Sequence, residues 1–126
     1  MNTPIARPKY LNLLRIKLPV GAITSIAHRI SGVLLFVAIP LLTYLLDLSL
    51  RGPEQYARVL SLFDTPIIQL SAILIVWGLA HHLLAGIRFL LLDLHLGLER
   101  PVARASAWLV NAGGAIAVVL YLRTLF

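Results

Sequence analysis

Three runs without a single charged side chain dominate this sequence: Ile30 to Leu46, Thr65 to Ile87 and Ala105 to Leu122. Each approaches the roughly 20 apolar residues that an α-helix needs to cross the hydrocarbon core of a bilayer. No water in that core can satisfy a backbone N–H or C=O, so a lone spanning segment has to bond internally, as a helix does. Composition agrees. Of 126 residues, 60% are hydrophobic and only 13% charged, and the mean hydropathy is +0.91, which excludes a soluble domain of this size.

The expected fold is therefore all-α and integral to the membrane. Its three transmembrane helices are read at approximately 22–50, 65–96 and 103–125 within a membrane domain at 20–126, preceded by a polar, proline-punctuated segment at 1–19. In that segment, Leu11 to Leu18 alternates apolar positions with Arg15 and Lys17, a pattern suited to the cytoplasmic interface or a partner surface. Pro40 is expected to kink helix one by removing a backbone donor, and Arg51-Gly52-Pro53-Glu54 to stop it. Gln55 to Phe63 reads as a short outer loop. Asp64-Thr65-Pro66 then offers a capping side chain and a first-turn proline for helix two. The short Gly97 to Pro101 turn makes helices two and three antiparallel neighbours, and Ala107, Gly113, Gly114, Ala115 and Ala117 let helices approach closely. The first 20 residues lack the apolar run and small-residue site of a cleaved signal, so the N-terminus is expected to be retained.

A net charge of +6 raises nucleic acid as a partner, but the basic residues cluster around the ends of the spans. Arg7, Lys9, Arg15 and Lys17 precede the first, Arg88, Arg100 and Arg104 flank the second loop, and the opposite side has only Arg51, Arg58 and Arg123. Membrane topology explains this distribution: N-terminus and second loop in the cytoplasm, first loop and C-terminus outside, lipid and not nucleic acid around the chain. The sequence has no cysteine, which removes disulfides, thiolate metal sites and cysteine nucleophiles, and leaves four histidines as the strong metal-ligand candidates.

Two ionisable clusters sit within the apolar sequence: Ser25-Ile26-Ala27-His28-Arg29-Ile30-Ser31-Gly32 and His82-Leu83-Leu84-Ala85-Gly86-Ile87-Arg88. Such groups cost several kcal/mol in hydrocarbon unless paired or liganded, so they mark candidate sites. Gly78, His82 and Gly86 repeat every four residues and share one helix face. A histidine between two glycines leaves flat, open space that suits a planar macrocycle bound through the imidazole. The same spacing also suits a histidine bonded to a neighbouring helix beside a small-residue groove, and spacing does not choose between them. Counting the helical rise from Leu94 puts His82 about 18 Å below the cytoplasmic surface and Arg88 about 9 Å, while His28 and Arg29 come to about 9–12 Å. This layering resembles a buried macrocycle at His82 with anionic propionates toward a cationic belt, and it argues against His28 as a second axial ligand, which is then expected from another chain.

Ser25, Arg29 and Gly32 recur at i, i+4 and i+7, bringing a hydroxyl and a guanidinium to one face. A quinone carbonyl could accept hydrogen bonds from both, with developing negative charge stabilised by the guanidinium. A snorkelling arginine beside a packed serine is the alternative. Ser31 is expected to bond its own helix backbone. His81 cannot face the same site as His82, His95 reads as a surface or partner-contact residue, and Asp93 as the partner of a nearby arginine, with a role in feeding protons as the alternative. Trp77 is expected to pack within the span, with Trp108, Tyr10 and Tyr56 as interfacial anchors.

Arg7-Pro8, the S-x-x-H-R-x-S-G run at Ser25 to Gly32, and His82-x-x-x-Gly86-Ile87-Arg88-x-x-x-x-Asp93 resemble, in order and spacing, the cytochrome b membrane-anchor subunit of bacterial succinate dehydrogenase. The resemblance runs from Arg7 through helix three. It implies a multi-pass subunit of the bacterial inner membrane that pairs with a second hydrophobic anchor subunit, the two holding one haem b. By this likeness His82 matches the axial ligand to the haem iron and the partner supplies the other histidine. Ser25 and Arg29 match positions lining the ubiquinone site beside the iron-sulfur subunit, and His28 and Arg29 lie toward the haem propionates. A flavoprotein subunit would oxidise succinate, so this chain performs no succinate chemistry itself. Phe89 departs from the many relatives with histidine there, which puts one propionate or secondary contact in doubt. Two alternatives stand beside this reading: the anchor of a quinol:fumarate reductase, and a non-redox membrane protein whose buried polar residues serve packing or transport.

Overall fold

The computed structural model describes residues 17–125. Arg7, Lys9, Tyr10, Arg15 and most of the segment 1–19 lie outside the described residues. Four helices follow one another: α1 (Val20–Leu50), α2 (Pro53–Leu62), α3 (Pro66–Asp93) and α4 (Arg100–Leu122). Three of them, α1, α3 and α4, are long and apolar enough to cross a membrane. They pack as a bundle in which α3 lies along both α1 and α4, and α2 packs against α1.

The interior of the bundle is small and polar. Thr24, Ser31, Ala85 and Ala107 are wholly buried and His81 nearly so, whereas Phe36 and Leu109 are 74% and 72% exposed. This inverts the pattern of a soluble protein for a physical reason. Lipid tails are as apolar as leucine, so large side chains gain nothing by turning inward, and small residues let helices come into van der Waals contact. On α4 the small-residue face is used in this way: a Cβ on Gly114 would lie 3.3 Å from the Cβ of His81, and Ala107 is shut in against α1 and α3.

Local signals account for most element ends. Helix α1 runs unbroken through Pro40 and stops at Leu50, two residues before Gly52, whose φ of 147° an L side chain rarely adopts. The segment expected as an outer loop is instead helical. Pro53 supplies a preset first-turn φ, Glu54 faces the positive end of the helix dipole, and Val59 turns inward while Tyr56 and Leu60 turn out. Tyr56, Val59, Leu60 and Phe63 stand at i, i+3, i+4 and i+7, the spacing of an amphipathic helix, which the loop reading passed over. Pro66 occupies the first turn of α3, but the Thr65 hydroxyl donates back to the Leu62 carbonyl at 2.6 Å and does not cap α3. Helix α3 ends at Asp93, where His95 adopts a φ of 62° and the Leu96 N–H reaches back to the Leu91 carbonyl at 2.9 Å. That return bond closes the helix in the manner usually left to glycine.

Candidate functional site

The two polar clusters meet across the α1/α3 seam. The rings of His28 and His82 stack with centroids 4.1 Å apart and planes 9° from parallel, and Phe89 meets His28 edge-on at 5.2 Å. His82 Nδ1 lies 3.2 Å from the His28 carbonyl oxygen and 3.1 Å from Ser31 Oγ. Ser31 donates its own hydroxyl proton to the His28 carbonyl at 2.8 Å, the backbone bond anticipated for it. A carbonyl can only accept, so Nδ1 of His82 is the protonated nitrogen and Nε2 keeps its lone pair. A backbone acceptor on one imidazole nitrogen, fixing the tautomer and raising the basicity of the other, is the usual support of a metal-ligating histidine.

The depth argument needs correction. His28 and His82 stand at one level, because the two helices are not flush at this end: His28 is about 12 Å along α1 from Val20, whereas His82 is about 16 Å from Asp93. The α3 end therefore overhangs the start of α1 by about one helical turn, an offset that counting from assumed membrane entry points does not contain. Face-to-face stacking, and not a difference in depth, is what keeps these two imidazoles from approaching one metal from opposite sides. Among the described residues no group of three His, Cys, Asp or Glu side chains could hold a metal ion, so an ion on His82 needs donors from elsewhere.

Room for His82 comes chiefly from the facing helix. A Cβ on Gly32 would lie 3.0 Å from His82 Cε1, so only glycine admits the ring without displacement. A Cβ on Gly78 would meet Leu34 and Leu35 at 3.2 and 3.5 Å, so the space beside it is filled by α1. Beside Gly86 the nearest atom is His28 Nε2, 3.8 Å from such a Cβ. That His28 nitrogen is enclosed and has no hydrogen-bond partner among the described residues. Ser25 is half-buried and Arg29 exposed on the outer side of α1, and neither side chain bonds a described residue.

A second polar assembly occupies the bundle centre. His81 Nε2 lies 3.1 Å from Asn111 Oδ1, and Thr24 Oγ1 is 3.3 Å from the same oxygen while donating to the Val20 carbonyl at 3.0 Å. Trp77 stacks on His81 with centroids 5.3 Å apart. One side chain of α4 thus touches α1 and α3 together. Sequence reasoning missed Asn111 and Thr24; the available signal was an amide in the middle of the otherwise uncharged Ala105 to Leu122 run.

Arg88 does not join a cationic belt above His82. Seven residues on from His81, it faces α4, donating from Nε to Ser106 Oγ and from Nη2 to the Ala103 carbonyl, both at 3.0 Å. Asp93 is exposed and makes no ion pair among the described residues, where the ion pair found joins Arg51 to Asp47. Trp108 and Tyr56 are exposed, as interfacial anchors are.

Residues 3–121 match the family described as Succinate dehydrogenase/Fumarate reductase transmembrane subunit. The chain is 37% identical over 115 residues to the succinate dehydrogenase cytochrome b556 subunit of Coxiella burnetii, spanning 90% of this chain and 92% of that one. It is 35% identical over 124 residues to the subunit of the same name from Paracoccus denitrificans, spanning 95% and 92%. With the Rickettsia conorii subunit of that name the identity is 30% over 114 residues, 90% and 89% of the two chains.

Proposed function

The chain belongs to the succinate dehydrogenase/fumarate reductase transmembrane subunit family, and from that membership we propose that it binds haem b through His82 and forms part of a ubiquinone-reduction site through Ser25 and Arg29. In this reading it anchors an iron-sulfur subunit and a flavoprotein to the bacterial cytoplasmic membrane, with its N-terminus and the α3–α4 turn on the cytoplasmic side. A second anchor subunit completes the haem site with its own histidine.

The observation that carries the haem assignment is the His82 Nδ1 contact to the His28 carbonyl at 3.2 Å, which leaves Nε2 as a free, oriented donor. The donor chemistry fits a haem iron held by one imidazole from this chain. Gly32 admits the His82 ring, and Gly86 leaves the space beside it closed only by His28; Gly78 brings α1 and α3 together next to the ligand. The partnerless Nε2 of His28 and the exposed guanidinium of Arg29 are the groups assigned to the propionates. Haem b, when bound, supplies a one-electron carrier beside the quinone site.

On the quinone, Ser25 donates a hydrogen bond to a carbonyl oxygen. Arg29, one turn further along the same helix, stabilises the negative charge that grows on that oxygen during reduction, more effectively than in water because the surroundings are poorly polarisable. Neither side chain is committed to a bond within the described residues, which supports a role toward a ligand or partner.

The test is spectroscopic and kinetic. The purified complex should show a reduced-minus-oxidised b-type band that disappears in His82→Ala; a band unchanged in that variant would end the ligand assignment. Ser25→Ala and Arg29→Leu should each lower quinone reduction while dye-linked succinate oxidation persists, and full quinone activity in both would end the quinone assignment.

A further inference from the structure

Between α3 and α4, separated from His28 by the Phe89 ring that its guanidinium overlies at 5.4 Å, the fold buries a cation that no carboxylate side chain of this protein neutralises. Arg88 is 8% exposed. The chain has five acidic residues, Asp47, Glu54, Asp64, Asp93 and Glu99, all among those described, and the ion pair they form is Asp47 with Arg51. The hydrogen-bond partners of Arg88 are neutral: Ser106 Oγ and the Ala103 carbonyl, with Nη1 bonded to no described residue.

The backbone adds to the positive potential. Ala103 lies in the first turn of α4, and Gly21, in the first turn of α1, would carry a Cβ only 3.9 Å from Arg88 Nη2. Two helix N-termini, each equivalent to about half a positive charge, therefore converge on a guanidinium about a turn and a half from the C-terminal end of α3, whose opposite dipole offsets one of them. Arg100 and Arg104 add exposed charge on α4; Asp93 and Glu99 at this end are exposed and do not reach Arg88.

Arg88 also lines a groove of about 400 Å³ whose other walls are almost entirely apolar, Leu84, Ile87 and Leu91 from α3 and Leu109 and Val110 from α4. Arg88 lies about 7.5 Å from the end of α3, on the side of the bundle where the α3–α4 turn lies. From Leu84 to Leu92 the α3 wall of the groove runs about 12 Å. A buried cation near the end of a spanning helix, continuous with an apolar trough, is complementary to an amphiphile with one anionic head. We propose that this groove binds an anionic phospholipid, its phosphate on Arg88 and one acyl chain running inward along Leu84, Ile87 and Leu109.

Native mass spectrometry of the purified, delipidated complex, titrated with phosphatidylglycerol or phosphatidylcholine of identical chains, tests this. The wild-type complex should take up one phosphatidylglycerol about fivefold more tightly than phosphatidylcholine, whose choline cation offsets the phosphate charge that faces Arg88. Arg88→Gln should reduce that preference to within about twofold, and Arg88→Lys should retain most of it. Leu109→Trp fills the trough from its exposed wall, leaves the hydrogen bonds of Arg88 intact, and should weaken the first bound phosphatidylglycerol. Equal affinity for the two lipids in the wild-type complex, as expected if a carboxylate of another subunit sits on Arg88, would overturn the proposal. So would a preference that survives Arg88→Gln. If Arg88→Gln does not assemble, Leu109→Trp decides: unchanged first-site binding there also overturns it.

Discussion

Removing Asn111 isolates the energetic content of the bundle centre. In Asn111→Ala, Thr24 keeps its bond to the Val20 carbonyl at 3.0 Å, whereas the Nε2–H of His81 loses its acceptor. His81 is 1% exposed and its Nδ1 already has no partner among the described residues, so the variant leaves an imidazole enclosed with both nitrogens unpaired. Stranding a buried donor costs about 1–3 kcal/mol. Hydrogen bonds between membrane helices average nearer 0.6 kcal/mol, because the unfolded chain in lipid also finds partners. The expected loss is therefore about 1–2 kcal/mol. His81→Leu removes the polar group together with its needs, so adding Asn111→Ala to it should cost under about 0.5 kcal/mol, a coupling near 1 kcal/mol. Reversible unfolding of the protein in mixed micelles by sodium dodecyl sulfate measures all four corners of this cycle. Additive effects, or an Asn111→Ala variant as stable as the wild type, would refute the reasoning.

The remaining predictions concern backbone geometry and surface charge. Gly32→Ala should displace the His82 ring, since its Cβ would stand 3.0 Å from Cε1; a b-type band shifted or lost in Gly32→Ala but kept in Gly86→Ala, where the nearest atom is 3.8 Å away, is the expected outcome. His95→Gly should raise thermal stability by about 1 kcal/mol by relieving the left-handed backbone at φ 62°, while Gly97→Ala, at φ 75°, should lower it by a similar amount; calorimetry in detergent reads both. Asp47→Asn should change stability by less than about 1 kcal/mol, because the Arg51–Asp47 pair is exposed on both sides.

The sequence by itself determined the membrane class, the three long helices and the pair of polar clusters. Each of these follows from properties local to a segment: an uncharged run long enough to span, or an ionisable residue where hydrocarbon makes it costly. It also held the motif spacing through which family membership was legible. Helix α2 was legible in the spacing of Tyr56, Val59, Leu60 and Phe63 but escaped because a run too short to span was read as a loop, and the turn of Arg88 toward α4 was hidden because spacing along one helix says nothing of what the next helix brings near. Relative axial offset and rotation between helices belong to the packed bundle alone. A one-turn overhang of α3 past α1 set His28 against His82, Gly32 on the opposite helix made room for the His82 ring, and rotation of α3 turned His81 and Arg88 toward α4. In lipid these choices rest on close contact and hydrogen bonding between particular surfaces, and such surfaces exist only once the helices have met.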